Sequence, residues 1–117
     1  FQGATGYFGP EFVAMTHITN YAEHHDMSTL PSFLLQRKTD VVVLDHYIFY
    51  YFLRQHHPDS STSLVRDHAL IPAVSAHVGF HDKSLRDTFN LRLRTFKENG
   101  GVQGVIQQYI GEVDKTQ

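Results

Sequence analysis

Cysteine and tryptophan are both absent from the sequence. Without cysteine there is no disulfide framework, no thiolate metal site and no cysteine nucleophile, although this does not fix the compartment. Long apolar runs are also missing. The longest, 41–44 and 47–53, are broken by Asp45 and His46 and fall far short of the roughly 20 residues of a membrane-spanning helix. Charge of one sign is not in excess either. Ten Lys and Arg stand against twelve Asp and Glu, and no block of like charge is longer than Arg37-Lys38. Charges spread so evenly along the chain point to neither nucleic acid nor an anionic membrane as a partner. Phe stands first in place of Met with no signal segment, as expected of a piece cut from a longer polypeptide, so export stays open.

What is there is an ordinary globular composition, 41% hydrophobic over 117 residues, enough for a compact domain. The Gly-rich opening and Gly9-Pro10 predict the end of a strand, a loop, and a helix over about 10–24 with Phe12, Met15 and Ala22 at helical spacing. Ser28 or Thr29 can cap a short helix that ends at 36–38. Val41, Val42, Val43 and Leu44 form an uninterrupted, largely β-branched run that reads as a strand covered on both faces, ended by Asp45. Helical spacing resumes over 46–55 and stops at His57-Pro58-Asp59. Segments 62–70 and 74–80 read as strands. Asp82 caps a helix with Leu85, Phe89, Leu93 and Phe96 along one side, closed by Asn99-Gly100, and a last helix carries Val102, Val105, Ile106, Tyr109, Ile110 and Val113 before a frayed tail over 114–117. This alternation predicts an α/β fold, a parallel-rich sheet flanked by helices.

Three stretches carry a resemblance. The run from Leu34 to Phe52, LLQRKTDVVVLDHYIFYYF, resembles the segment of family 3 solute-binding proteins in which a short helix leads into a strand ending in Asp. Val78-Gly79-Phe80-His81-Asp82-Lys83-Ser84-Leu85-Arg86-Asp87 looks like their strand into a helix opening on Asp, and LRLRTFKENGGVQGVIQQYI like their closing helix pair. Gln36 departs from the pattern, standing where that family commonly has Gly. The likeness implies the C-terminal portion of an extracytoplasmic binding protein, a periplasmic-binding-protein-like type II lobe incomplete at its N-terminus. Residues 1–70 would then be most of lobe 2, and 71–117 a crossover strand and C-terminal helices contributing to lobe 1.

Asp45, at the end of the expected strand, faces the edge where open α/β sheets bind ligands, and its carboxylate can accept from a ligand ammonium. In the resembled family an Asp in this place holds the amino group of an amino acid, while the plainer role is to cap the helix beginning at His46. Gly3, Ala4 and Thr5 offer backbone N–H groups and a hydroxyl to an anion, for which a carboxylate is the natural guest, although an ordinary turn explains them as well. Tyr47, beside Asp45, can stack on a ligand. The pairs His24-His25 and His56-His57 lack the spacing of a zinc site, and no catalytic motif is present.

The resemblance therefore implies a non-catalytic, periplasmic component of an ABC uptake system that binds a polar amino acid or similar small solute without a cofactor and docks on a permease. The rival classes are a ligand sensor of the same fold ahead of a signalling domain, and a His-rich metal-binding or hydrolytic domain. Apolar stripes on the two C-terminal helices lead us to expect a homodimer of the fragment, with those segments exchanged between copies.

Overall fold

Two short helices open the chain, α1 (Ala4–Phe8) and α2 (Pro10–Thr16), because Gly9 at φ 84° breaks the first and Pro10 presets the first turn of the second. The computed structural model describes residues 1–69, 72 and 75–112, in two units, Phe1–Ser60 and Ser61–Gln117. α2 stops well before the expected 24. The Thr16 and Thr19 hydroxyls donate to the Val13 and Met15 carbonyls, at 2.7 and 3.1 Å, an alternative to continued helical bonding that these residue types favour.

Asp26 starts the next element, its side chain accepting from the Ser28 N–H of a 3-10 turn, Met27–Thr29, that runs into α3 (Leu30–Leu35), where Thr29 holds the N-cap position as expected but makes no side-chain capping bond. α3 closes with Arg37 at φ 55°. The Lys38 N–H donates to the Phe33 carbonyl and the Arg37 N–H to the Leu34 carbonyl, a Schellman closure that glycine usually makes. Helix α4 (His46–His56) then buries Phe49, Tyr50 and Leu53. α3 and α4 pack together, and with Leu30, Pro31 and Ala4 these side chains are the buried apolar residues of the first unit. Leu53 is only 2% exposed. The Ser32 hydroxyl meets His57 Nε2 at 2.7 Å, tying α3 to the end of α4.

The second unit begins with a 3-10 turn, Thr62–Leu64, and holds helices α5 (Lys83–Glu98) and α6 (Gly101–Ile110). Asp82 caps α5, accepting from the Leu85 N–H at 2.6 Å. Asn99 and Gly100, the latter at φ 72°, reverse the chain so that α6 packs on α5, with the Phe96 ring where a Cβ on Gly101 would lie.

The helices at 46–56, 83–98 and 101–110 stand where the spacing of apolar residues places them. Among the described residues there is no strand and no sheet, and the α/β reading, with its parallel-rich type II lobe and crossover strand, is corrected to an all-helical fold. The run at 41–44 is irregular with Val41 72% exposed, and a β-branched segment is a strand only where a neighbour completes its ladder. At 61–63 the Ser61 side chain accepts from the Ser63 N–H, which commits the start of the expected 62–70 strand to a turn. Residues 75–80 form no regular element, while Leu70, Val74, Val113 and the tail over 114–117 lie outside the described residues. The strand expected before Gly3 is likewise absent, since residue 1 has no assigned structure and Gln2 and Gly3 form a turn.

Candidate functional site

The first unit builds one polar constellation from its N-terminal turn. Gly3 precedes α1 at φ 85°, a left-handed conformation that turns successive N–H groups toward one side. The Gly3 N–H donates to Glu23 Oε2 at 2.7 Å, and both the Thr5 N–H and Thr5 Oγ1 donate to Oε1 at 3.1 Å. The Tyr21 hydroxyl is a fourth donor to the carboxylate, reaching Oε1 at 3.0 Å. Beside these, the Gln2 N–H donates to the His24 carbonyl at 2.8 Å, so the chain start is clasped to residues 21–24 at two levels.

Charge and hydrogen bonding reinforce each other here. Donation from the Gly3 and Thr5 N–H groups holds the Glu23 carboxyl down at about 2, so it is an anion across the physiological range. Burial pushes the Tyr21 phenol up to about 12, with its hydrogen bond to Glu23 and that carboxylate's charge acting the same way. The turn is therefore a carboxylate receptor with a carboxylate in it. Two of the residues named from sequence, Gly3 and Thr5, act together. Ala4, between them, is fully buried and its N–H turns back to the Phe1 carbonyl at 3.2 Å, so it contributes shape rather than a donor.

Sequence reasoning missed Glu23 and Tyr21. Their one legible signal is the spacing Tyr21-x-Glu23, which lets two side chains of an irregular segment reach one side, and nothing in it names the partner turn eighteen residues earlier.

Asp45 and Tyr47 stand at the start of α4. Asp45 Oδ1 accepts from the Ile48 N–H at 3.1 Å, the helix-capping role. Tyr47 is 51% exposed, its ring edge-on to His46 at 5.1 Å. The Phe1 amino group lies 3.5 Å from the Val43 carbonyl, which brings the strand-like run before Asp45 alongside the clasped turn.

Two of the histidines bridge elements of the first unit. His24 stacks edge-on against Phe33 at 5.0 Å, and His57 bonds Ser32. Asp26 is held below the usual carboxylate range by its Ser28 hydrogen bonds first and then by the charges of His25 and His56. Among the described residues no group of three or more His, Asp or Glu side chains is placed to hold a metal ion, and no helix is long and apolar enough to cross a membrane. Ser32 and His57 have the separation of a nucleophile and its base, but the bond joins two packed helices and serves as a tether.

Compared with protein-family models, with curated proteins and with solved structures, the chain matches none.

Proposed function

We propose that the chain is a non-catalytic binding polypeptide that takes the carboxylate of a small, amino acid-like solute at the Gly3–Thr5 turn. The observation that carries this reading is the trio of donors, the Gly3 N–H, Thr5 N–H and Thr5 Oγ1, converging on one carboxylate at 2.7–3.1 Å. Charge-assisted bonds of this kind are the stronger hydrogen bonds of proteins and suit a carboxylate better than a neutral oxygen. Glu23 is the resident guest, and a solute enters by displacing it. A tethered competitor acts at an effective concentration on the order of millimolar, so the free turn binds far better than the clasped one.

The choice of an amino acid as solute, and its delivery to an ABC permease outside the cytoplasm, rest on the residue likeness described above. Nothing in this reading uses a two-lobed cleft. Calorimetry of the Glu23→Ala chain against a panel of amino acids and their amides tests it. Binding of a free acid but not its amide, stronger in Glu23→Ala than in the parent, is expected. Equal response to acid and amide, or none from any member, would reject the reading.

A further inference from the structure

Helix α5 presents an exposed surface in the second unit. It is 16 residues and about 24 Å long, and none of its residues is buried. Leu85, Phe89, Leu93 and Phe96 recur at i, i+4, i+8 and i+11, one stripe along the helix. Leu85 is 59% exposed, Phe96 45% and Phe89 38%, while Leu93 is half-buried, Phe80 lies tilted against Phe89 at 5.0 Å and one side of the Phe96 ring faces Gly101 of α6. Of the five cations of α5, three lie at the borders of this stripe. At 3.6 residues per turn Arg92 falls on one edge and Arg86 and Lys97 on the other, while Lys83 and Arg94 lie with Asp87, Glu98 and Leu91 on the opposite side, where two cations and two carboxylates balance. Arg86 also bonds Asp87 through Nε and Nη2, at 3.0 and 2.8 Å, an exposed pair of the kind that contributes little and yields to a better anion.

We propose that α5 docks on an anionic phospholipid surface, with its apolar stripe at the acyl boundary and Arg92, Arg86 and Lys97 at the level of the phosphates. Long basic side chains bordering an apolar stripe can lay their stems along it and raise their charges to headgroup height, the arrangement of helices that lie in a membrane interface. A second copy of the chain fits this face poorly. Stripe-on-stripe pairing brings cationic edges onto cationic edges with both carboxylates turned away, and like charges so placed repel.

The test is flotation of the 117-residue chain with phosphatidylcholine vesicles, with and without phosphatidylglycerol. The chain should float with the anionic vesicles alone and be released by salt. Arg92→Glu combined with Lys97→Glu should lower the bound fraction about tenfold or more, since each basic residue near such a surface contributes substantially. Leu85→Gln should weaken binding and Leu91→Gln should not, with circular dichroism showing unchanged helix in both. Equal flotation with neutral vesicles, no flotation at all, or equal loss in the two Gln variants would overturn the proposal. So would a parent dimer in sedimentation that Leu85→Gln makes monomeric, because the stripe would then be covered by a second copy.

Discussion

Glu23 sets a pH window for the N-terminal clasp, and both ends of it can be read by titration. Its carboxyl is held at about 2 against 4.5 for a free glutamate, because protonation would give up the donation from Gly3 and Thr5. A carboxylate whose pKa falls on folding contributes in full above its unfolded value, and the contribution is lost as pH falls through the folded value. The clasp is therefore constant at neutral pH and opens between 4.5 and about 2. Tyr21 works with the opposite sign. Its phenol, pushed up to about 12, contributes in full below 10 and loses that contribution as pH rises through about 12. Glu23→Gln leaves one acceptor oxygen and no charge, so the Tyr21 pKa should drop toward 10 but stay above it, burial being its largest cause. Carbon NMR of the Glu and Tyr side chains measures both midpoints. A Glu23 midpoint near 4.5, or a Tyr21 midpoint indifferent to Glu23→Gln, would refute the reasoning.

Other outcomes follow from the helices. Leu53→Ala, at a position 2% exposed, should cost about 2–5 kcal/mol by chemical denaturation of the first unit. Asp82→Ala removes the acceptor of the Leu85 N–H and should cost about 1 kcal/mol with fraying of α5, seen by amide exchange at 83–86, whereas Asp82→Asn should retain the cap. Arg37→Gly relieves a left-handed backbone and should stabilise the first unit by about 1 kcal/mol, measured by the same denaturation. Gly101→Ala places a methyl group against the Phe96 ring, and the ring signals should shift in NMR while the α6 helix persists.

What the sequence made legible was local. Asp45 and Asp82 stand before apolar residues at helical spacing, and a capping carboxylate plus an amphipathic stripe needs no distant partner to define a helix start. Asn99-Gly100 marked the turn between α5 and α6 for the same reason. The strands were misread because Val41, Val42, Val43 and Leu44 carry the propensity of a strand but not its partner, and propensity is silent about whether a second segment pairs. Threonine hydroxyls bonded to Val13 and Met15 cut α2 short in a way that residue spacing does not show. At the site, Gly3 and Thr5 were legible as donors because backbone amides in a Gly-rich turn must go somewhere. Their partner was not, because the clasp to Glu23 spans an irregular segment with no period to read.

On the proposed function, the Gly3–Thr5 turn takes a solute carboxylate once Glu23 leaves it. The most direct measurement is the amide spectrum of the Glu23→Ala chain, labelled with nitrogen-15, during addition of a free amino acid and, separately, of the same amino acid as its amide. The Gly3 and Thr5 amide signals should shift and saturate with the acid, while the amide derivative leaves them in place. Gly3 and Thr5 signals that stay fixed through the whole panel of acids, in a chain whose α4 signals show it folded, would contradict it.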